Sequence, residues 1–386
     1  VAWESYQQFG DKAMLAGHYE SMKKYMAFLE TRIDPKTGVM NEGPLGDWLS
    51  PEVNKLDNTL LWEAYYIFDL EIMAKMAGAL GKTADANAFS KKHDERKTFF
   101  NTTFVDATSK KTIKSGFVAP HFGPPGAVNS DGKSPAGEVL DNQVSYAVPL
   151  ALGAFNTENQ PFAAIHLAEA VKRKNTDDAG ITRPEYSLMT GFIGTAWISK
   201  ALSDNGFNDV AYHLLQQTSY PSWLYSVDQG ATTIWERLNS YTVENGFGGN
   251  NSMNSFNHYS FGAVGAWMYN YSLGIQRDEN EPGFKHFILQ PTPDPTGQMT
   301  FAKGHYDSMY GQIESGWRIE NSNLIYLATV PANTTATLYL PAISEKTITE
   351  NGNAAEAANG VKFVKYENGK AVFELQSGKY EFKSGI

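Results

Sequence analysis

The fold class is decided by residues 58–80, which read NTLLWEAYYIFDLEIMAKMAGAL. On a helix of this sequence, apolar side chains such as Leu60, Phe68 and Met76 lie on almost every side. A helix that is apolar all round is buried between other elements, whereas a surface helix keeps one polar face. Because Gly81 ends the pattern, the stretch predicts one long helix that is buried on several sides.

Other helices are predicted before and after this one, and no strand pattern alternates with them. A helical pair is predicted from Trp3 to Ile33, with a break at Gly10-Asp11, and a Gly- and Pro-rich excursion at residues 110–135. The later helices are predicted at residues 84–100, 141–152, 161–172, 187–203, 208–217 and 259–273. Short turns between successive helices favour antiparallel hairpins, and a toroid of such hairpins is the simplest closed arrangement.

Strand patterns replace helical ones after Gly274. Strands are predicted at residues 287–291, 324–330, 336–340 and 371–375, and Ser377-Gly378 is interpreted as a hairpin turn. One hydrophobic core rarely grows past about 300 residues, so a chain of 386 residues is expected to hold two domains. We predict a helical domain over residues 1–282 and an all-β domain over residues 283–386.

Composition limits the classes of partner. A net charge of −10 without any cluster of Lys and Arg repels polyanions, so nucleic acid is not expected as a partner. No apolar run approaches the roughly 18 residues of a membrane span, so no membrane partner is expected. The lack of cysteine excludes disulfides, thiolate metal sites and a cysteine nucleophile. The compartment stays open between periplasm or secretion and cytoplasm.

The most unusual segment is the loop from Tyr220 to Tyr259, which is rich in Gly, Asn and aromatic residues. Loops of this length are uncommon in compact domains unless they are functional. Within it, Trp235, Glu236 and Arg237 set a carboxylate between a large ring and a cation. An apolar neighbour raises a carboxyl pKa and an arginine lowers it, so this setting can produce a general base. The alternative is a Glu236–Arg237 surface pair with Trp235 in the core, which spacing alone slightly favours.

Three further sites each have a functional and a structural interpretation. His258 either binds a hydroxyl or carboxylate group or, as is more often the case for a lone histidine, is a structural side chain. A zinc site is not expected there, because no second His or acidic ligand follows at the usual motif spacing. Asp47 and Trp48 can bind a sugar by hydrogen bonding and ring stacking, or cap a turn and fill the core. Asp141-Asn142-Gln143 opens a predicted helix, where it either provides an N-terminal cap or contacts a ligand, with about equal weight.

Several stretches together resemble the bacterial α-L-rhamnosidases, a family of glycoside hydrolases. The resemblance is strongest at Gly230-Ala231-Thr232-Thr233-Ile234-Trp235-Glu236-Arg237, continued by Met253-Asn254-Ser255-Phe256-Asn257-His258-Tyr259. It extends to residues 46–49, 190–195, 220–223, 283–286 and 330–336, so that it covers nearly the whole chain.

The resemblance implies a fold that is mainly α plus β. In it, the helices form the later portion of an (α/α)6 toroid that is incomplete at the N-terminus of this chain, and an antiparallel β-sandwich follows. It also implies removal of terminal α-L-rhamnose with inversion, by two carboxyl groups and without a metal or organic cofactor. Glu236 matches the general base, His258 a sugar-contacting histidine and Trp48 an aromatic wall, while Asp47 and Trp235 are expected to contact the substrate as well.

The chain departs from the family in one respect. The family's general acid lies in an Arg- and Trp-containing segment upstream of anything in this chain, so we expect upstream N-terminal domains of the same protein to supply it. The expected partner is a rhamnose-containing glycoside or polysaccharide. Two alternatives stay open: another (α/α)-barrel glycosidase with a different sugar specificity, and a non-catalytic carbohydrate-binding fragment.

Overall fold

The computed structural model describes residues 1–41, 46–117, 135–248 and 254–386. Most of the predicted excursion at residues 110–135 lies outside the described residues. The chain divides into two compact units, one formed by Val1–His18 with Gly265–Ile386 and the other by Tyr19–Val264. Among the described residues, none of the helices combines the length and the hydropathy that crossing a membrane requires.

The helices follow the predicted order with shifts at their ends, and one short helix, α9 (Trp223–Asp228), was not predicted because it lies within the segment 220–259 that was interpreted as a loop. They are α1 (Ala2–Phe9), α2 (Lys12–Glu30), α3 (Asn58–Ala79), α4 (Thr83–Thr103), α5 (Gln143–Ala151), α6 (Gln160–Lys172), α7 (Phe192–Asp204), α8 (Asn208–Gln216), α9 (Trp223–Asp228) and α10 (Val264–Trp267). A 3-10 turn, Ser260–Ala263, precedes α10 and a π-helical turn, Met268–Ser272, follows it. The last predicted helix is therefore present but irregular.

Within the unit Tyr19–Val264, alternate helices pack side by side. Helix α5 contacts both α3 and α7, while α4, α6 and α8 run back beside their neighbours as the second helices of hairpins. Helix α3 is buried along its length, as its sequence predicts. Its N-cap is Asp57, whose carboxylate accepts the Thr59 N–H at 2.9 Å. Asn142 caps α5 through a capping box with Ser145, so it has the structural role of the two foreseen.

Helix α7 begins later than predicted, at Phe192 instead of residue 187. The preceding segment makes hydrogen bonds to distant residues in an extended conformation. The Gln143 side chain accepts the Met189 N–H at 3.0 Å and donates to the Ser187 carbonyl at 2.9 Å, and the Leu188 N–H donates to the Pro221 carbonyl at 2.8 Å. These long-range bonds use the backbone groups that an earlier helical turn would need.

A buried ion pair joins α3 to α4. The Glu63 side chain has no exposed surface, and Arg96 donates to it from Nε, at 2.7 Å, and from a terminal guanidinium nitrogen. Arg96 also donates to the Gly38 carbonyl at 2.9 Å and lies over the Phe99 ring at 4.3 Å. Burial raises the pKa of Glu63, while the Arg96 contacts act in the opposite direction. In the part of the chain that the structure describes, Arg96 is the cation that compensates this carboxylate, and a backbone hydrogen bond from Met40 adds to it.

The C-terminal strands form two sheets that pack as a sandwich around one apolar core. After the small hairpin β1 (Asn175–Thr176) and β2 (Thr182–Arg183), the strands are β3 (Ile275–Arg277), β4 (His286–Leu289), β5 (Phe301–Ser308), β6 (Gly311–Glu320), β7 (Asn323–Val330), β8 (Thr335–Pro341), β9 (Thr349–Glu350), β10 (Asn353–Ala354), β11 (Val361–Glu367), β12 (Lys370–Leu375) and β13 (Gly378–Gly385). One sheet has the order β10-β9-β13-β7-β6-β5 and the other β11-β12-β8-β4-β3. All pairs are antiparallel except β4 with β8.

Two predictions about this region concern the domain boundary and the turn at Ser377-Gly378. Strand β3 pairs with β4 although it precedes the predicted boundary at residues 282 and 283. The interpretation of Ser377-Gly378 as a hairpin turn is wrong. Strand β12 pairs in one sheet and β13 in the other, so this connection crosses between the sheets. Turn residues between two strand patterns indicate that the chain changes direction. They do not indicate which strand the second of the two strands pairs with.

Replacing Arg96 with Met is expected to destabilise the protein by about 3–5 kcal/mol, because it leaves the Glu63 carboxylate buried and unpaired. Chemical denaturation monitored by circular dichroism measures the loss. The control is Lys91→Met, at a surface lysine whose ion pair with Glu95 is exposed. A loss no larger than that of the control would mean that the α3–α4 junction does not depend on this pair.

Candidate active site

Glu236 is held by hydrogen bonds between two segments of the 220–259 loop. The Glu236 N–H donates to the Ser255 carbonyl at 2.8 Å, and the Ser255 N–H donates to Glu236 Oε2 at 2.8 Å. The His258 N–H donates to the Ile234 carbonyl at 2.9 Å. The side chain of Glu236 is 9% exposed. This pairing therefore orients the carboxylate through Oε2 and ties it to the segment that carries His258.

Trp235 is buried and packs edge-on against Phe256, with ring centroids 5.3 Å apart. Among the described residues, no ion pair joins Glu236 to Arg237. The alternative interpretation of this motif placed Trp235 in the core and paired Glu236 with Arg237 at the surface. The structure agrees with it for Trp235 but not for the ion pair. Direct contact of Trp235 with a sugar stays a prediction that its burial does not favour.

The His258 ring stacks with two aromatic side chains. It lies on Phe192, the first residue of α7, with centroids 4.5 Å apart and an interplanar angle of 22°. It is also nearly parallel to the ring of Tyr259, with centroids 5.6 Å apart, and Tyr259 is 86% exposed. Its Nδ1 accepts the Ser260 N–H at 3.4 Å, which leaves Nε2 to donate in the neutral form. Within the described residues, no cluster of His, Cys, Asp and Glu could hold a metal ion.

Asp47 lies at the N-terminus of α7 and has no exposed surface. Its Oδ2 accepts the Gly191 N–H at 2.6 Å and its Oδ1 accepts the Gly194 N–H at 2.8 Å. Burial raises the pKa of its carboxyl to about 6, and hydrogen bonds from three backbone amides act in the opposite direction. Its contact with a sugar stays a prediction that this burial does not favour.

Trp48 follows Asp47 and is 46% exposed. Its carbonyl accepts the Phe192 N–H at 2.9 Å. Phe192 thus binds the Trp48 backbone with its amide and stacks on His258 with its ring. Hydrogen bonds and ring contacts therefore connect the segments that carry the five predicted site residues. Glu236, Trp235 and His258 are linked within their loop, and Asp47 and Trp48 are linked to His258 through Phe192.

A family model described as the bacterial alpha-L-rhamnosidase 6 hairpin glycosidase domain matches residues 1–272. The chain belongs to this family. A second model, the bacterial alpha-L-rhamnosidase C-terminal domain, matches residues 274–355. The expected fold class, a helical-hairpin glycosidase domain followed by a β-sandwich, is confirmed.

Curated and solved relatives agree with this assignment. An alpha-L-rhamnosidase of Formosa agariphila is 31% identical over 391 residues, covering 100% of this chain and 38% of that protein. One of Streptomyces avermitilis is 30% identical, covering 99% of this chain and 32% of that protein. The crystal structure of the Streptomyces avermitilis alpha-L-rhamnosidase complexed with L-rhamnose matches with a TM-score of 0.80 at 29% identity, over 99% of this chain and 32% of that one. The chain spans about a third of the length of these relatives.

In this rhamnosidase-family chain, sequence reasoning missed a polar group on α3 and α7. The Trp197 Nε1–H donates to the Tyr65 hydroxyl at 2.7 Å, and the Phe68 ring meets the Trp197 ring edge-on. Burial raises the pKa of Tyr65, and the negative charges of Asp47 and Asp69 raise it further. Burial also raises the pKa of Asp69 to about 6. The signal available was an acidic residue on a helix whose apolar side chains lie on almost every side, where a carboxyl group is expected to be partly buried.

Replacing Asp69 with Asn is expected to stabilise the protein near neutral pH. Because the pKa is raised on folding from 3.8 to about 6, the wild-type protein loses stability as pH rises through this range. The variant does not titrate there, so it should melt like wild type below about pH 4 and be more stable at pH 7–8, by at most about 3 kcal/mol.

Thermal melting of both proteins between pH 4 and 8 measures this difference. Asp106→Asn is a control of opposite sign, because hydrogen bonds from Ser109 lower the pKa of Asp106. That variant should be less stable than wild type at pH 7 and approach it in acid. A pH-independent difference for Asp69→Asn would contradict a raised pKa at this position.

Proposed function

We propose that the protein containing this chain is a glycoside hydrolase that removes terminal α-L-rhamnose from rhamnosides or rhamnose-containing polysaccharides, with inversion. The observation that carries the proposal is the placement of Glu236, whose carboxylate is oriented by the Ser255 amide beside the segment bearing His258. Named α-L-rhamnosidases align with the whole chain, and one solved relative contains L-rhamnose. Both findings support the same reaction class.

In the proposed mechanism, Glu236 acts as the general base. The Ser255 N–H binds Oε2 and restricts rotation of the carboxylate, so that one oxygen is presented to a water molecule. Glu236 removes a proton from this water as its oxygen attacks the anomeric carbon, while a second carboxyl group protonates the leaving oxygen from the opposite face. Such pairs stand about 6.5–9.5 Å apart in inverting glycosidases, which leaves room for the water.

We propose that the second carboxyl group belongs to a part of the protein outside residues 1–386. The relatives are about three times as long as this chain, which is consistent with such a contribution. Protonation of the leaving oxygen and deprotonation of water by two carboxyl groups require no metal or organic cofactor.

The exposed rings suit the substrate class. A deoxy sugar such as rhamnose presents apolar C–H faces and a methyl group, which pack against an aromatic face, and hydroxyl groups, which need hydrogen-bond partners. Trp48 is half-exposed and can provide the aromatic face. His258 can donate from Nε2 to a sugar hydroxyl, because its Nδ1 already accepts the Ser260 N–H. The net charge of −10 makes nucleic acid an unfavourable partner.

Replacing Glu236 with Gln in the full-length protein is expected to lower kcat on an aryl α-L-rhamnoside by about 10² to 10⁴, with a smaller change in KM, because the base is lost and the shape kept. The matched control is Glu350→Gln. It removes a similarly buried carboxylate, 8% exposed, from the β-sandwich and should leave the rate unchanged.

Azide should restore turnover in Glu236→Ala by replacing the activated water, and the product should be a rhamnosyl azide of β configuration, identified by NMR. Near-normal hydrolysis by the variants would reject Glu236 as the base.

A panel of aryl glycosides tests the sugar specificity, since cleavage of a different glycoside by the wild-type protein would favour another glycosidase. Rhamnose binding without turnover by the full-length protein would favour a binding role.

A further inference from the structure

The loop that carries Trp48 is bound closely to the start of α7. We call the contact between residues 47–50 and residues 189–194 the α7 junction. In addition to the Asp47 carboxylate and the Trp48 carbonyl, Ser50 contributes by donating from Oγ to the Met189 carbonyl at 3.2 Å. The junction therefore consists of side-chain and backbone hydrogen bonds spread over both segments.

The two segments of the α7 junction approach each other so closely that no side chain fits at Gly191. A Cβ atom on Gly191 would lie 2.1 Å from the Trp48 carbonyl oxygen and 2.6 Å from the Ser50 nitrogen. Leu49 has a φ of 62°, in the left-handed region that residues with a Cβ disfavour. Such a conformation persists where the surrounding contacts impose it. The loop therefore keeps its shape only while the junction holds it.

The α7 junction is also where the predicted sugar-binding groups meet. Phe192 bonds to the Trp48 backbone and stacks on His258, so both residues are positioned from the first turn of one helix. Asp47 binds the amides on either side of Phe192, at Gly191 and Gly194. Having no exposed surface, Asp47 can act on a sugar only through the groups that it positions.

We infer that Asp47 is a positioning residue that holds Trp48 and the Phe192–His258 stack in their relative places, and that it makes no contact with the sugar. This rests on the proposed function, since it assigns Asp47 a part in the same site. The buried carboxylate satisfies free amides at a helix N-terminus, where an acceptor is most needed, and thereby sets the loop against the helix. Misplacement of a binding group by about 1 Å can cost as much as 10²-fold in rate.

A double-mutant cycle on the full-length protein tests this inference. Asp47→Asn places an NH₂ group against backbone amide donors. It should raise KM for an aryl α-L-rhamnoside about tenfold, with a smaller fall in kcat, because binding geometry is lost. In a Trp48→Ala background the same change should cost much less, because the residue being positioned is absent. Multiplicative losses would overturn the inference, as they indicate that Asp47 acts independently of Trp48.

Two matched variants separate the α7 junction from a general loss of stability. Gly191→Ala disrupts the junction from its other side and should reproduce the kinetic change of Asp47→Asn. Asp294→Asn is the control, because Asp294 is also buried and its carboxylate accepts backbone N–H groups of Thr296 and Met299 in the β-sandwich. It should lower the melting temperature without changing KM. An equal rise of KM in the control would contradict a specific role of Asp47.

If Asp47→Asn does not fold, Ser50→Ala carries the cycle, because it removes one bond of the same junction and leaves the carboxylate in place. The expected result is a smaller rise in KM that is again suppressed in the Trp48→Ala background. A rise in KM by the same factor in both backgrounds would overturn the inference.

Acrylamide quenching provides a readout that does not depend on turnover. The contribution of Trp48 to the quenched fluorescence is isolated by comparison with Trp48→Phe. The accessibility of Trp48 to acrylamide should change in Asp47→Asn. If the wild-type protein hydrolyses no rhamnoside, the proposed function fails and quenching still tests the positioning role. An unchanged Trp48 signal would refute that role.

Discussion

The backbone amides at the start of α7 converge on the carboxylate of Asp47, and the arrangement of the candidate site depends on this contact. The first N–H groups of a helix have no partner within the helix and carry partial positive charge. Asp47 reaches them from a loop 144 residues earlier in the chain. Because the same turn holds the Trp48 carbonyl and stacks on His258, one anchored helix end positions groups from three separate segments.

Glu236 is held in a different way, by pairing between two parts of a single loop. Its amide and its carboxylate both bond to Ser255, so backbone and side chain are oriented together. The candidate site thus combines a rigid helix end with a paired loop. The Ile234–His258 backbone bond pairs the two parts of this loop, and the stack of His258 on Phe192 connects the loop to the helix end.

Sequence patterns predicted elements whose causes are local. Helix α3 was predicted almost to the residue, since its apolar pattern and the terminating Gly81 lie within one segment. The predicted start of α7 was wrong, because hydrogen bonds to the distant Gln143 hold the preceding segment. The predicted hairpin at Ser377-Gly378 was wrong, because the following strand pairs in the second sheet. Glu236 and His258 were singled out from the composition of their loop, and their expected roles came from the resemblance and stay predictions. The burial of Asp47 and the part played by Phe192 depend on contacts across more than a hundred residues, which a single sequence does not display.

The parallel pair β4–β8 has a consequence for how the sandwich assembles. Parallel neighbours cannot be joined by a tight turn, so a long connection must separate them. Here that connection is the meander β5–β6–β7 of the other sheet, closed by the two-residue turns Met309-Tyr310 and Asn321-Ser322. Local hairpins form quickly and distant pairings slowly. Pulse-labelling hydrogen exchange should therefore find the β5–β7 amides protected before those of β4, with one sheet acting as the scaffold on which the other closes.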